Sequence, residues 1–291
     1  MSNTMNTGVY PEEYATKLQE RLDRPVSWKD VCDVIYSDVK IFNMPYMSTH
    51  FSVQTGTRGT AYSFSDFSLT NDTIDIATKV LAPTYVDRAD LAQCTLVNQM
   101  ELAERSASLL MENIETSFLA DHGEWTNFGD NAGTFEAGTA TTITVSSTNI
   151  DDIVRAVRRE VIEANAIELA NRNGIAFVWR AADFEKLEQF AQANGFNLAD
   201  AALKNGIERG YYLLGAYHYV SNNHAAGHVF AGVRKVVKIG ILRTTWGQVV
   251  VSQEPSNADG PLSGVGFTAR ADYDVMTPDG LVTAVFDVNV V

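Results

Sequence analysis

Asp87-Arg-Ala-Asp-Leu-Ala-Gln-Cys-Thr-Leu-Val-Asn-Gln-Met-Glu-Leu-Ala-Glu-Arg-Ser-Ala-Ser-Leu-Leu-Met-Glu-Asn-Ile-Glu-Thr-Ser-Phe-Leu-Ala120 is the stretch on which the fold turns. Leu96, Met100, Ala103, Ala107, Leu110, Ile114 and Phe118 keep three-and-four spacing, and neither Gly nor Pro interrupts residues 88–122. That pattern predicts one long amphipathic helix over 88–120, opened by Asp87 and Asp90 behind Pro83 and closed at Gly123. At 1.5 Å per residue it is a rod of about 50 Å. Glu101, Glu104, Arg105, Glu112 and Glu115 are expected on its opposite, solvent-facing side, with Glu101 and Arg105 at the favourable i,i+4 spacing.

Working back from the helix, residues 46–86 alternate. Phe51, Val53 and Thr55 run up to Gly56. Tyr62, Phe64 and Asp66 lead to Leu69, and after the turn-like Thr70-Asn71-Asp72 the alternation resumes over 73–80. Period two punctuated by Gly, Asn and Asp predicts a long β-hairpin with solvated carboxylates, Asp72 and Asp75, at a tip. A lone two-stranded ribbon is barely stable in water, so this one needs a partner surface. Residues 1–45 read as a polar arm with short helical pieces, Ser27 and Asp30 capping one of them. Too weakly apolar to fold alone, the arm lies on its own body or on a neighbouring subunit.

Working forward, residues 123–148 are rich in Gly, Thr and Asn and read as an extended loop or hairpin. Ile150, Ile153, Val154, Val157 and Val161 mark a second helix, opened by Asn149, Asp151 and Asp152. Residues 175–179 form a short buried strand, 183–193 and 198–204 two helices. From there β segments follow over 211–214, 217–221, 228–231, 235–241, 248–252, 267–275 and 281–290. With no regular βαβ alternation and no repeat, the fold class is α+β.

Composition bounds the function. The 291 residues are 45% hydrophobic and 20% charged, ordinary for a folded protein. There are 22 Lys and Arg against 36 Asp and Glu, a net charge of −14. Nucleic-acid binding rests on neutralising phosphates, so so acidic a chain does not have nucleic acid as its main ligand. Cys32 and Cys94 are no disulfide framework and read as small apolar residues. No signal segment or membrane-length apolar run occurs, and a cytoplasmic site of synthesis is expected.

No motif of catalysis emerges. Gly260-Pro-Leu-Ser-Gly264 is not a nucleophile elbow, and Gly264-Val-Gly266 lacks a third glycine and a following helix. His218, His224 and His228 fall close together, but Gly227 and the β pattern argue against a helical metal pair, and no Cys or acidic residue near them in sequence completes a set. They read as loop and strand histidines. Asp151 and Asp152 read as helix-start acids, and Tyr211, Tyr212, Tyr217 and Tyr219 as packed core or subunit contact. The expectation is no enzyme, no cofactor and no metal.

The order of these elements resembles the tailed-bacteriophage major capsid protein family, with its Hong Kong 97-type capsid fold. Residues 72–91 resemble the returning strand of that family's extended loop and the entry to its spine helix. Leu102-Ala-Glu-Arg-Ser-Ala-Ser-Leu-Leu-Met-Glu-Asn-Ile-Glu-Thr-Ser-Phe-Leu119 resembles the spine helix itself. Tyr212-Leu-Leu-Gly-Ala-Tyr-His-Tyr-Val-Ser-Asn-Asn223, His228-Val-Phe-Ala-Gly232 and Phe267-Thr-Ala-Arg-Ala-Asp-Tyr-Asp-Val275 with Asp279-Gly280 are similar to later strands. The joint order over residues 46–290 carries the resemblance, since no single motif is diagnostic.

The resemblance implies an N-terminal arm (1–45), an extended loop (46–86), a peripheral domain with spine helix and insertion (87–148), an axial domain (149–265) and terminal strands returning to the periphery (266–291). It implies homo-pentamers and homo-hexamers in an icosahedral virion shell around phage double-stranded DNA, assembled in the host cytoplasm. Scaffolding, portal and decoration proteins are the implied partners, with DNA only loosely apposed and no membrane. The encapsulin nanocompartment shell shares the fold and is the alternative. Arg58, Tyr62, Phe64, Asp72, Glu101, Glu104 and Glu112 are the expected inter-subunit contacts. Two family features are not expected: a long cleaved scaffolding segment, given the short arm, and a Lys–Asn crosslink, since Lys79 lies away from the tip. Deleting residues 55–71 is expected to leave a folded monomer that cannot close a shell.

Overall fold

A computed structural model of the chain describes residues 26–47, 55–59, 61, 68–87, 99–194, 211–246, 248–252 and 264–291. The expected strand over 62–66 and the helix over 198–204 lie outside the described residues, as do Cys94 and all of the expected strand over 51–55 except Thr55. The fold is α+β, as expected, and no helix among the described residues is long and apolar enough to cross a membrane.

Among the described residues three sheets organise it. The first has β1 (Asp33–Ser37), β11 (Lys238–Leu242), β13 (Gly264–Met276) and β12 (Gln248–Ser252), with β4 (Thr78–Asp87) along the other side of β13. β4 and β13 pair antiparallel from Gly264↔Asp87 to Tyr273↔Thr78. The second has seven strands in the order β6 (Thr134–Ala137), β5 (Thr126–Asn131), β14 (Val285–Asn289), β10 (His228–Val233), β7 (Ile175–Trp179), β9 (Ala216–Val220) and β8 (Tyr211–Leu213). The third is a two-stranded ribbon, β2 (Ile41–Met47) with β3 (Leu69–Asp75).

The long helix α2 spans Gln99–Ala120 among the described residues and runs into a single-turn 3-10 helix, Asp121–Glu124. Leu110, Ile114 and Phe118 of the expected stripe are buried. Helix α3 (Ile150–Glu163) buries Ile150, Ile153, Val154, Val157 and Val161, the five residues of the predicted face. Short helix α4 (Ile167–Asn173) follows, then α5 (Ala181–Ala193), which seats Phe184, Leu187 and Ala191. β7 is apolar and buried throughout, as a strand covered on both faces must be. One continuous core joins the sheets, with Ile239, Ile241 and Tyr273 from the first and Phe128, Val229 and Phe286 from the second.

Two expectations are corrected and one is narrowed. The hairpin is paired differently: Thr70-Asn71-Asp72 is not a turn but lies inside β3, opposite Tyr46, Pro45 and Met44. Its partner strand is 41–47, which straddles the expected boundary between arm and loop at residue 45 and shows no alternation of its own. Proline survives there because the two-stranded ribbon has only edge strands. The stretch 73–80 is not one strand either. It breaks at Ile76-Ala77, where Ala77 N–H donates to the Asp75 carbonyl, so that β3 pairs with β2 and β4 with β13.

The arm, secondly, lies in part on its own body, one of the two places expected for it, and contributes to the core. Trp28, Val31 and Cys32 are fully covered, and burial raises the Cys32 thiol well above its usual pKa. Thirdly, sheet membership cuts across the expected segments. β5 and β6 hydrogen-bond within the seven-stranded sheet, β11 and β12 lie in the first sheet, and the two terminal strands divide between them.

The base of the ribbon is seated by Gly240. A side chain there would stand 2.6 Å from Cγ2 of Ile74, so only glycine lets buried Ile74 and Ile76 close over β11.

Candidate assembly surfaces

Residue alternation sorts the ribbon into two faces. Phe42, Met44 and Tyr46 share one with Ile74, Asp72 and Thr70, and this face turns toward the body near Pro278, Asp279 and Gly280. Ile41, Asn43, Pro45 and Met47 share the other with Asp75, Thr73, Asn71 and Leu69. On that outer face Ile41 is 55% exposed, Met47 44% and Leu69 63%, with Met47 directly opposite Leu69. Thr73 Oγ1 donates to Asn43 Oδ1 at 2.9 Å and Lys40 pairs with Asp75 at 3.6 Å, so the polar pairs lie at the base and the apolar pair at the far end.

The expected contact residues separate. Arg58 is exposed in a turn closed by Gly59, whose φ of 89° suits glycine. Tyr62 and Phe64 lie outside the described residues, and so do the side chains of Glu101 and Glu104. Glu112 is half-buried on α2. Asp72 is not a solvated tip: it is 9% exposed. Desolvation and the neighbouring Asp279 carboxylate raise its pKa, while the Asp279 N–H donates to it and opposes the rise.

Glu115 also departs from expectation. Counted on the outer face of the helix, it is fully buried. Its carboxylate accepts from Ser27 N at 3.1 Å, Ser27 Oγ at 2.8 Å and Trp28 N at 2.9 Å, and from the Ser221 side chain. Ser27 starts the turn α1 (Trp28–Val31), but its hydroxyl goes to Glu115 and not to the backbone N–H expected of a cap. A carboxylate 88 residues away performs the capping instead. Burial raises the Glu115 pKa and these donors hold it back. The segment before the ribbon is thereby bolted to the long helix.

Asp151 and Asp152 keep the structural role expected of them, in the first turn of α3 with Arg155 as ion partner. Tyr219 is buried, whereas Tyr212 is exposed and meets Tyr217 edge-on at 5.0 Å.

The histidines divide. His218 is a satisfied core residue: Trp179 Nε1 donates to its Nδ1 at 2.9 Å and its Nε2 lies 3.1 Å from the Leu213 carbonyl. Burial lowers its pKa to about 4 from an unfolded value of 6.5. Between those values the unfolded chain binds a proton that the folded one refuses. Stability is therefore flat above pH ~6.5 and falls toward pH ~4, by roughly 3 kcal/mol from this residue. His218→Asn retains an acceptor for Trp179, and denaturant midpoints measured across that range should show a shallower pH slope than wild type.

His224 and His228 instead meet His122 and Asp287. This corrects the expectation that no acidic residue completes a set: Asp287 reaches His228 by the antiparallel pairing of β10 with β14, and His122 arrives from the turn after α2.

No family model and no curated protein matches the sequence. Solved structures do. A chain from Mycobacterium phage Che8 superposes with a TM-score of 0.67 at 17% identity, covering 97% of this chain and 98% of that one. The fold is the Hong Kong 97-type capsid fold. The capsid of a native GTA particle gives 0.66 at 14% identity, with 97% and 95% covered. The capsid of cyanophage P-SCSP1u gives 0.56 at 14%, with 100% and 97% covered. The likeness thus covers 97% or more of this chain in each case.

Proposed function

We propose that this chain is the major capsid subunit of a tailed bacteriophage, a structural protein and not an enzyme, which assembles into rings of five and six and closes an icosahedral shell around double-stranded DNA. The observation that carries the reading is the ribbon. Its inner face packs on the subunit's own body, but its outer face carries the directly opposed, exposed apolar pair Met47 and Leu69. Apolar side chains paired on an exposed face call for a partner surface. A second copy of the same chain supplies that partner repeatedly in a ring, because a head-to-tail contact that closes uses one pair of surfaces throughout. The whole-length likeness to phage and GTA capsid chains supports it. The net charge of −14 fits a wall that does not trap the packaged nucleic acid.

In this reading Arg58, Tyr62, Phe64, Glu101, Glu104 and Glu112 remain contacts with the neighbouring subunit, while Asp72 serves its own chain. The seven-stranded sheet with α3 and α5 forms the axial wedge. Scaffolding, portal and decoration proteins are the further partners.

The test is assembly of the full chain, alone and co-expressed with a phage scaffolding protein, read by size exclusion and negative-stain microscopy. Capsomer rings or closed shells are expected. A folded protein that stays monomeric in both preparations rules the reading out. Shells that recruit a protein cargo and exclude DNA would replace it with the encapsulin alternative.

A further inference from the structure

At the end of the long helix, four chemistry-bearing side chains converge outside the proposed assembly surfaces. His122 sits in the 3-10 turn Asp121–Glu124, His224 in the loop before β10, His228 at the start of β10 and Asp287 in β14. Asp287 Oδ2 lies 2.8 Å from His228 Nδ1 and 3.4 Å from His122 Nδ1. The His122 and His228 rings stack with centroids 3.9 Å apart. The His224 ring lies 6.5 Å from the first and 6.4 Å from the second.

His224 is 4% exposed, yet neither ring nitrogen has a hydrogen-bond partner in the protein. The Asp287 Oδ1 atom is likewise buried and unpartnered. Buried polar atoms are almost always hydrogen-bonded, so three left without a partner here call for an explanation. An ion pair between Asp287 and a protonated histidine does not supply it. One carboxylate neutralises one imidazolium and leaves both nitrogens of His224 as they were.

We propose that His122, His228 and Asp287 form a binding site for a divalent transition-metal ion of the zinc class. Buried His224, whose ring lies about 6.5 Å from the other two, completes it by turning one nitrogen toward the ion. Imidazole nitrogen with a single carboxylate is the donor set such ions prefer, whereas calcium and magnesium take oxygen. Four bonds of about 2.0–2.1 Å place neighbouring ligand atoms roughly 3.3 Å apart. The His122–Asp287 contact already has that length, and the His228 contact reaches it by opening about half an ångström. His122 and His228 are half-buried, which gives the ion a path in, and Asp287 is buried beneath them. The site joins the end of the long helix to two adjacent strands of the seven-stranded sheet, so an ion there ties together parts of the subunit far apart in sequence.

The experiment uses the full-length chain stripped with a chelator and titrated with Co2+ by absorption and with Zn2+ by calorimetry. One ion per chain is expected, with the strong visible bands of low-coordinate cobalt. The thermal midpoint should rise by several degrees with zinc and return with EDTA. His224→Ala and Asp287→Asn should each weaken zinc binding at least tenfold, while His218→Asn, a histidine outside the cluster, should not. X-ray absorption of the wild-type zinc form counts imidazoles without any variant, so misfolding of a mutant cannot hide the answer. No stoichiometric uptake by folded wild type, fewer than two imidazoles on the ion, or unchanged binding in both cluster variants overturns the proposal.

Discussion

Met47→Glu combined with Leu69→Lys is expected to abolish shell and capsomer formation while the subunit stays folded. The two residues face each other across the ribbon, so the substitutions place opposite charges on a directly opposed pair. Such a pair supports a ribbon by about 0.2–1 kcal/mol, close to what the apolar pair contributes, and net charge is unchanged. What disappears is the apolar end of the outer face. Docked on a neighbour, each of these side chains contributes on the order of 1–2 kcal/mol, and desolvating a Glu and a Lys in that contact costs more than it returns. Because every subunit in a ring makes the same contact, a loss of a few kcal/mol per contact multiplies around the ring. Sedimentation and negative-stain microscopy read the assembly; circular dichroism and the thermal midpoint, expected within a few degrees of wild type, read the fold. Wild-type yields of shells from this variant would show that the ribbon end is not an assembly surface. The point variant is cleaner than removing 55–71, because Leu69–Asn71 are paired residues of β3 and their loss would shorten the ribbon itself.

Glu115→Ala carries the second large effect, on stability. It leaves the N–H groups of Ser27 and Trp28 and the hydroxyls of Ser27 and Ser221 without their acceptor in a fully buried place, and it opens a cavity where the carboxylate stood. Removing one side of a buried charged network costs about 3–5 kcal/mol. The urea midpoint should drop by roughly 1 M or more, given slopes of about 3 kcal/mol/M for a chain this size. Limited proteolysis should cut first near residues 26–32, where the bolt is lost. Glu115→Gln keeps one acceptor oxygen but turns an amide toward N–H donors, and should fall between the two. An unfolding free energy within about 1 kcal/mol of wild type for the alanine variant would mean that the Glu115 contacts do not hold this segment.

The sequence was most legible where one element faces one environment. The stripe of α3 and the uniformly apolar β7 could be read residue by residue, because a helix or strand buried on a known face has to repeat with its own period. The class, the order of elements and the absence of familiar catalytic motifs followed from the same patterns, and the resemblance to capsid proteins rested on that order. Glu115 shows where such reading stops. Its position on the helical wheel belongs to the outer face, but the chain before the ribbon folds back and covers it, and nothing in residues 112–118 announces that Ser27 and Trp28 will arrive.

The ribbon is the same lesson in β form. Alternation marks a strand without naming its partner, and β3 pairs with 41–47, a stretch that falls mostly in what reads as a polar arm. The histidine cluster is the sharpest case. His224 and His228 are neighbours in sequence, but His122 and Asp287 reach them from about a hundred residues before and about sixty after, carried by the end of a helix and by the register of β14 on β10. Periodicity is local physics, so the sequence by itself determined which segments are helix and strand, the α+β class and the acidic surface. Which strand pairs with which, which charge is buried and which ligands meet depend on contacts between distant segments, and only the tertiary structure decided them.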